Sequence, residues 1–377
     1  MMIDSILLFP YSITLLIRNA LYRKGSKRVR KAEVPTICVG NITVGGTGKT
    51  PHTELILRML AESERWHDAH VAMLSRGYKR KSRGFQRLLP DDNSLLGGDE
   101  PLQVCKKFPS VTVAVDKNRL EGCDFLVHPE KLQNSPKAKR CKHKDLPAAD
   151  IIVLDDAYQY RKLGADLNIV LVDYSRPVTK DSLMPIGRLR DLPQRLYDAD
   201  VVIVSKCPSY LMDDGREEMA RTLGFCSYDQ ENCRARTSRG KEVTLLFTYT
   251  HYCESLPVYP ETDNRYMYAQ KVILFSGIAK DTPLVNYLSD RYKVVRHFTF
   301  PDHHKYKKAD ISSILSAVKH QPTAAVATTE KDAQRLLDYR AMPARLKERL
   351  FMVPIRAAFL SENEEMIFRS IIDNIRV

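Results

Sequence analysis

The seven residues VGGTGKT at positions 44–50 decide the fold, because they follow a β-branched run and open a stretch with helical spacing. A glycine-rich turn between a strand and a helix presents backbone N–H groups to phosphates, while its lysine reaches the outer phosphates and its hydroxyl holds Mg²⁺. The strict pattern has glycine where this chain has Thr43, but three glycines of the turn are kept. We therefore predict a nucleotide-phosphate loop made of Gly45, Gly46, Thr47, Gly48, Lys49 and Thr50.

Short apolar runs recur on both sides of this loop, separated by longer helical stretches. Continuous apolar runs are typical of strands that helices cover on both faces. The first half therefore predicts a doubly wound parallel α/β sheet like that of P-loop NTPases, and the C-terminal part predicts a smaller α/β domain. The predicted strands are residues 35–39, 71–75, 111–115, 151–155, 169–173, 201–205, 243–249, 272–275, 294–298, 324–328 and 351–355.

A chain of 377 residues is longer than one ordinary core, so more than one domain is expected. Four segments are predicted: an N-terminal helix with a basic segment at 1–31, a P-loop domain at 32–225, a connection at 226–270 and the smaller domain at 271–377. The Lys- and Arg-rich residues 131–145 predict a solvated surface insertion.

The composition excludes several classes of protein. Hydrophobic residues are 44% and charged residues 28% of the chain, which is the balance of a folded globular protein. The net charge of +13 favours an anionic partner such as nucleic acid, an acidic membrane or a phosphorylated substrate. The eight cysteines include no C-x-x-C pair, so reduced thiols are expected rather than a zinc or redox site.

The N-terminus combines an apolar stripe with a basic cluster, since seven Lys and Arg residues fall within 18–31. A signal peptide has the opposite order, and a spanning helix needs about 20 apolar residues. The pattern favours a helix lying on an anionic membrane surface; the alternative is a helix packed on the domain core. The stripe consists of Ile3, Ile6, Leu7, Ile13, Leu16, Ile17, Ala20 and Leu21.

Further candidates for chemistry follow the predicted strands. The apolar run 151–155 leads into Asp155 and Asp156, as a Walker B strand does to hold Mg²⁺. GGDEP at 97–101 and PDHHKY at 301–306 place carboxylates and imidazoles in loops, where a carboxylate can orient an imidazole as a base. Four arginines lie at or after strand ends and either contact phosphates or face solvent: Arg76, Arg119, Arg188 and Arg190.

Together these runs resemble the tetraacyldisaccharide 4′-kinase family, the lipid A 4′-kinases of Gram-negative inner membranes. The resemblance covers most of the chain, with the motifs in the expected order. The matching runs are VGNITVGGTGKTP from residue 39, LSRGY from 74, GGDEP from 97, LDDAYQ from 154, GRLRD from 187, FSGIA from 275, FPDHHKY from 300 and TTEKDAQRL from 329.

The resemblance implies an ATP- and Mg²⁺-dependent kinase that phosphorylates the 4′-hydroxyl of an acylated glucosamine disaccharide 1-phosphate in lipid A biosynthesis. It implies two α/β domains with the active site between them. It also implies a peripheral position on the cytoplasmic face of the inner membrane, with an anionic membrane surface as partner. No nucleic acid and no obligate protein partner are expected.

Residue roles follow from the same resemblance. It assigns phosphate and metal contacts to Lys49 and Thr50, and a metal-side carboxylate pair to Asp155 and Asp156. A catalytic dyad is assigned to Asp99 and His303, with the nearby alternative His304. The resemblance also matches Arg190 to a family arginine, for which a substrate contact is expected; Arg76 and Arg119 are expected to contact substrate from their positions at strand ends alone. Asp191 is expected on the metal side, and three positions depart from the family pattern: Asp191 replaces Glu, Tyr160 replaces His, and Arg188 replaces a small residue or Pro.

Two other classes compete with this interpretation. A membrane-targeted ATPase of the deviant Walker class has a lysine before the paired glycines, where this chain has Val44. A nucleic-acid-dependent NTPase is indicated only by the positive charge, without interleaved aromatic residues or a helicase motif set. Both are weaker than the kinase hypothesis.

Overall fold

The computed structural model describes residues 2–302, 304–339 and 341–376. The chain forms two compact units, one comprising Met1–Thr250 with Ala357–Val377 and the other His251–Arg356. The strands are β1 (Thr36–Gly40), β2 (Val71–Ser75), β3 (Gln86–Arg87), β4 (Thr112–Val115), β5 (Ile151–Asp155), β6 (Leu167–Asp173), β7 (Val201–Ser205), β8 (Phe225–Asp229), β9 (Arg234–Thr237), β10 (Glu242–Tyr252), β11 (Leu256–Pro257), β12 (Lys271–Ser276), β13 (Lys293–Thr299), β14 (Ala325–Thr329), β15 (Leu350–Val353) and β16 (Ile355–Phe359).

Helices connect most of these strands, as the alternating pattern predicts. They are α1 (Met2–Arg23), α2 (Lys49–Glu62), α3 (Ser94–Gly97), α4 (Asp99–Lys107), α5 (Arg119–Val127), α6 (Lys131–Asn134), α7 (Asp213–Thr222), α8 (Thr282–Ser289), α9 (Lys308–His320), α10 (Glu330–Leu337), α11 (Ala344–Lys347) and α12 (Glu362–Asp373). Short 3₁₀ helices cover Pro136–Ala138, Val178–Lys180, Pro193–Asp198 and Asn264–Tyr268.

The first unit is built on a large sheet in the order β3-β4-β2-β5-β1-β6-β7-β10-β9-β8, with β16 paired to β10. The strands from β4 to β10 run parallel. Alternate residues of β1 enter opposite cores, since Cys38 packs in one hydrophobic cluster and Ile37 and Val39 in the other. Burial on both faces explains the continuous apolar runs and confirms the predicted P-loop NTPase-like α/β fold.

The second unit has its own sheet in the order β11-β15-β14-β12-β13. Strands β12 to β15 pair in parallel, while β11 is antiparallel to β15. Hydrophobic clusters lie on both faces, with Ile273 in one and Leu274 in the other. This unit is the smaller α/β domain in the C-terminal part of the chain.

The observed units divide the chain differently from the predicted segments. Residues 226–250, predicted to be a connection, contribute most of β8, β9 and β10 to the first sheet, and β10 pairs with β7. The chain end also returns to the first unit, where Phe368 and Ile372 of α12 are buried and the Trp66 indole donates to the Ile372 carbonyl at 3.2 Å. Strands β8 and β9 have many exposed side chains and give a weak apolar pattern, which is why the sequence did not predict them. The predicted strand 243–249 lies within β10, but its place in the first sheet was not predicted.

The basic insertion at 131–145 is more firmly packed than the solvated segment that its composition predicts. Leu132, Ala138 and Cys141 are buried in a core cluster of the first unit. The Gln86 amide donates to the Arg140 carbonyl at 2.7 Å. Three apolar side chains therefore fix this segment, while its Lys and Arg side chains supply the polar pattern seen in the sequence.

Helix α1 packs with one side and exposes another. Leu15 and Asn19 are buried, whereas Ile13, Leu16 and Ile17 are 36%, 56% and 56% exposed. The exposed residues belong to the predicted apolar stripe; the stripe members at positions 3, 6 and 7 lie outside the described side chains. Across the described ranges of the chain, no helix combines the length and hydropathy needed to cross a bilayer.

Candidate functional site

The phosphate loop connects the end of β1 to the start of α2. Gly45 and Gly48 have φ angles of +107° and +82°, a left-handed region that glycine adopts without strain. Two hydrogen bonds of 2.8 Å hold the loop. The Asn41 amide donates to the Thr47 hydroxyl within the loop region, and the Ser205 hydroxyl at the end of β7 donates to the Thr47 carbonyl. The N-terminus of α2, with its positive dipole end, therefore opens onto a preformed loop.

The GRLRD segment pairs with the strand side of this loop. The Val44 N–H donates to the Arg188 carbonyl and the Arg190 N–H donates to the Ile42 carbonyl, each at 2.8 Å. Arg188 takes part in this pairing through its backbone carbonyl, and any residue type can supply that group. The departure from the family pattern at position 188 therefore leaves the pairing intact.

Arg190 joins the phosphate loop to the Walker B strand. Its guanidinium donates to the Thr43 carbonyl at 3.0 Å and to the Asn41 side-chain oxygen at 2.6 Å. The same group lies 3.3 Å from a carboxylate oxygen of Asp156. Arg190, expected to contact substrate, thus orients the loop and its acidic neighbour in this structure.

The two Walker B carboxylates have different surroundings. Asp156, with a φ of +48°, lies 3.8 Å from the Lys49 ammonium. Asp155 is buried, accepts from the Ser75 hydroxyl at 2.9 Å, and has one oxygen without a hydrogen-bond partner among the described residues. Burial, followed by the charge of Asp156, raises the pKa of Asp155 to about 6, against the opposing effect of Lys49.

These residues fit a divalent cation. A buried carboxylate oxygen without a partner, beside a second carboxylate, is a hard oxygen donor set of the kind Mg²⁺ prefers. The Thr50 side chain lies in the first turn of α2, as the phosphate-loop pattern requires. Thr50, Asp155 and Asp156 are therefore the residues that would hold the metal.

The raised pKa of Asp155 gives a prediction for stability without metal or nucleotide. Between about pH 4 and 6 the folded protein retains a proton that the unfolded chain has released, so the free energy of unfolding falls as pH rises. Asp155→Asn lacks this titration and should be more stable than wild type at pH 7, on the order of 2 kcal/mol. Urea unfolding in EDTA at pH 5 and 7 measures this difference; equal pH dependence in both proteins would contradict it.

The GGDEP turn lies near Asp155, the last residue of β5. Gly98 has a φ of +92°, and a Cβ there would come within 2.8 Å of the Tyr78 carbonyl oxygen, so only glycine fits. Asp99 and Glu100 form the first turn of α4, and the charge of Glu100 contributes to the raised pKa of Asp155. The turn therefore brings its acidic residues to the edge of the sheet that carries the phosphate loop.

The two remaining predicted arginines differ in exposure. Arg119 is 2% exposed and donates to the backbone carbonyls of Asp116 and Asp155. Arg76 follows β2 and is exposed. The pKa of Arg119 is lowered chiefly by burial and further by the charge of Arg76, while the nearby aspartates oppose this shift. Arg119 thus supports the Walker B strand, and Arg76 is the member of this pair that solvent can reach.

Asp191, which the resemblance places on the metal side, lies in a buried cluster of polar side chains. Its carboxylate is buried, accepts from the Asn19 amide at 3.0 Å and lies 3.2 Å from the Arg18 guanidinium. Arg195 lies 3.6 Å from the same carboxylate. With its oxygens occupied in this way, Asp191 fixes α1 to the segment that follows Arg190.

Lys206 is a site residue that the sequence did not single out. It follows β7 with a φ of +58°, and its ammonium donates to the Gly46 carbonyl and to an Asp173 oxygen, the latter at 2.9 Å. A lysine directly after a buried strand was the available signal. Because β1, β5, β6 and β7 are parallel, their polar ends meet at one edge of the sheet, where ligands bind in open α/β folds.

His52, also overlooked in the sequence, supports the loop from within the first turn of α2. One ring nitrogen donates to the Gly48 carbonyl at 2.7 Å, and the other accepts from the Thr248 hydroxyl at 2.9 Å. Burial lowers the pKa of His52 to about 4. The imidazole is therefore neutral at pH 7 and holds the helix start without adding charge.

In the second unit, three of the family-like runs meet at the ends of β12 and β14. The Gly277 N–H donates to Asp332 at 2.9 Å, and Arg335 binds both the Gly277 carbonyl and Asp332. His303 lies outside the described residues. Its neighbour His304 lies 2.9 Å from Asp310.

This chain is similar to known proteins over nearly its whole length. The family described as tetraacyldisaccharide-1-P 4′-kinase matches residues 5–375. Proteins named tetraacyldisaccharide 4′-kinase from Phocaeicola vulgatus and Parabacteroides distasonis are 34% and 36% identical to this chain. Each alignment covers 97% of this chain, and 93% and 92% of the respective relatives.

A solved structure shares the fold. The crystal structure of LpxK from Aquifex aeolicus in complex with ATP superimposes with a TM-score of 0.66 at 24% identity. The match covers 97% of this chain and 98% of the other. The fold likeness and the relatives together confirm the resemblance drawn from the motifs.

Proposed function

The chain belongs to the tetraacyldisaccharide-1-P 4′-kinase family, and on that premise we propose that it transfers the γ-phosphate of ATP to the 4′-hydroxyl of a tetraacylated glucosamine disaccharide 1-phosphate. This acceptor is a precursor of lipid A. The observation that carries the proposal is the position of Asp156, which lies within ion-pair distance of both Lys49 and Arg190. Arg190 in turn binds Asn41 and Thr43 at the start of the phosphate loop.

Phosphoryl transfer depends chiefly on positioning and on neutralising phosphate charge. The loop N–H groups and the α2 dipole bind the phosphates, and Lys49 places a positive charge on the outer oxygens. Arg190 and Lys206 keep the loop in shape through the carbonyls of Thr43 and Gly46. When bound, Mg²⁺ supplies further charge neutralisation at Thr50, Asp155 and Asp156.

In the proposed reaction the 4′-hydroxyl oxygen forms a bond to the γ-phosphorus. The bond between that phosphorus and the β,γ-bridging oxygen breaks, and ADP leaves. The hydroxyl proton passes to a base, for which we propose Asp99 acting with His303, and Arg76 as a contact to the anionic acceptor. A poor nucleophile such as a sugar hydroxyl benefits from such a base.

Incubation of the purified protein with [γ-³²P]ATP and the acylated disaccharide 1-phosphate tests this proposal. Label should enter the glycolipid, and the same acceptor already phosphorylated at its 4′-hydroxyl should remain unlabelled. Nucleic acid should not stimulate turnover. Transfer of label to water alone, or stimulation by nucleic acid, would favour an NTPase of another kind.

We propose further that α1 holds the protein on the cytoplasmic face of the inner membrane. Its exposed Ile13, Leu16 and Ile17 can enter the lipid interface, while the Lys and Arg residues that follow attract anionic headgroups. The buried side chains Leu15 and Asn19 meanwhile keep the helix on the first unit.

Replacing Ile13, Leu16 and Ile17 together by serine should weaken vesicle binding by about tenfold or more, since each apolar side chain contributes free energy on insertion. The apparent KM for the lipid should rise while ATP binding is retained. Sedimentation with anionic vesicles at increasing salt measures this, because the basic contribution is screened over about 10 Å at 0.1 M. Tyr210 and Met212, 80% and 75% exposed in the same unit, provide the control pair for serine substitution; equal binding by both variants would contradict the proposal.

A further inference from the structure

A cavity of about 250 Å³ lies in the first unit at the end of α1, and no residue of the phosphate loop lines it. One wall is formed by Tyr22, Arg23 and Val29, and the floor includes Cys38 of β1 and Leu154 of β5. Residues of the segment that follows β5, between 157 and 165, also line the cavity. The cavity is therefore distinct from the candidate site at the ends of the strands.

Three guanidinium groups and one carboxylate line this cavity: Arg23, Arg161, Arg195 and Asp198. Asp198 lies 2.5 Å from Arg195 and 3.8 Å from Arg23, so its single charge is shared by two arginines. The lining consequently carries an excess of positive charge within a partly apolar pocket.

Arg161 is the guanidinium group of this lining that forms no ion pair within the described ranges of the chain. It is half-buried, donates to the Asn19 side-chain oxygen and stacks 4.5 Å from the Tyr22 ring centre. Among the described residues, no carboxylate lies within ion-pair distance of it. Neighbouring Arg195 has a side chain only 7% exposed and is already paired with two carboxylates, Asp198 at 2.5 Å and Asp191 at 3.6 Å.

We propose that this cavity binds the phosphate group of an anionic membrane lipid other than the acceptor. Guanidinium groups pair with phosphate oxygens through directed hydrogen bonds, and the apolar floor suits the carbons next to the phosphate. Sites for drug-sized ligands occupy about 300–1,000 Å³. A cavity of about 250 Å³ therefore suits a headgroup phosphate and not a whole nucleotide.

The position of the cavity favours a lipid over a free phosphate ion. Its wall includes the last turn of α1, the helix whose apolar side chains are exposed. The basic segment after α1 is fixed in place, since the Arg30 N–H donates to the Lys162 carbonyl and the Gly164 N–H donates to the Arg30 carbonyl. The inference rests on the proposed membrane contact of α1, but it does not require the kinase reaction.

Binding of dihexanoyl phosphatidylglycerol, a soluble short-chain lipid, to the full-length protein tests the inference by isothermal titration calorimetry without ATP or acceptor. Arg161→Gln removes the unneutralised charge, and Ala165→Leu fills the cavity without changing charge. Lys162→Gln is the matched control, because Lys162 is exposed and its backbone contact does not depend on its side chain.

Wild type and Lys162→Gln should bind the anionic lipid equally, and dihexanoyl phosphatidylcholine should bind more weakly. Arg161→Gln should lose about tenfold or more in affinity, as expected for one charge-assisted hydrogen bond. Ala165→Leu should lose a similar factor because its side chain occupies the space of the headgroup. Thermal unfolding checks that each variant is folded, and the wild-type preference for the anionic headgroup tests the site without any substitution. Unchanged binding by both cavity variants, equal affinity for the two lipids, or displacement by inorganic phosphate at the lipid's own concentration would each overturn the proposal.

Discussion

Lys49→Ala is expected to lower kcat/KM by roughly 10²-fold or more, the loss that follows removal of one preorganised stabilising group. The side chain of Lys49 is 19% exposed and its ion pair with Asp156, at 3.8 Å, is long. Its removal should therefore leave the fold intact while taking a positive charge from the phosphate site. Steady-state kinetics with varied ATP measures the loss, and circular dichroism checks the fold.

Lys180→Ala is the control for this substitution, because Lys180 is an exposed lysine of the same unit. It should turn over as wild type does. Wild-type turnover by Lys49→Ala would remove the assignment of the phosphate loop, whereas equal losses in both variants would indicate a general effect of net charge.

Asp99→Ala and His303→Ala are each expected to lower kcat by 10²–10⁴-fold, about the range of general-base catalysis. If the two groups act as one unit, the double variant should be hardly worse than either single variant. A double-mutant cycle on kcat measures this coupling. Fully additive losses would assign the two residues independent roles.

His304→Ala separates a catalytic histidine from a structural one. His304 stacks on Phe300 with ring centres 4.7 Å apart and lies 2.9 Å from Asp310, so its removal should lower stability more than kcat. A larger loss of kcat in His304→Ala than in His303→Ala would reverse the choice within the pair. Thermal unfolding of both variants distinguishes these outcomes.

The phosphate loop and the principal strands could be predicted from the sequence because their signals are local. Glycines at positive φ mark the turn at Gly45 and Gly48, and β-branched runs mark the strands that helices cover. Predicted strands 71–75, 151–155 and 201–205 coincide with β2, β5 and β7. Asp155 and Asp156 followed from the same logic, since a carboxylate at the end of a buried strand lies at the ligand edge of the sheet.

The sequence did not predict which later segments of the chain join the first unit. Residues 226–250 and 357–377 join it through strand pairing and through the burial of Phe368 and Ile372. Strands β8 and β9 lack a continuous apolar run. The run 243–249 predicts a strand but not the sheet that it joins, and a helix at the chain end can pack on any unit its length allows. Only the tertiary structure shows which strands and which unit these segments pack against.

From the sequence alone one can predict the class of fold, a glycine-rich turn between β1 and α2, and two carboxylates at the end of β5, because each depends on neighbouring residues. Tertiary structure decided what Arg190, Asp191 and Lys206 do. Arg190 reaches Asn41 across 149 positions, and Asn19 meets Asp191 across 172. A pattern of neighbouring residues fixes the conformation of a strand, helix or turn, but such distant contacts depend on strand order and on which side chains are buried together.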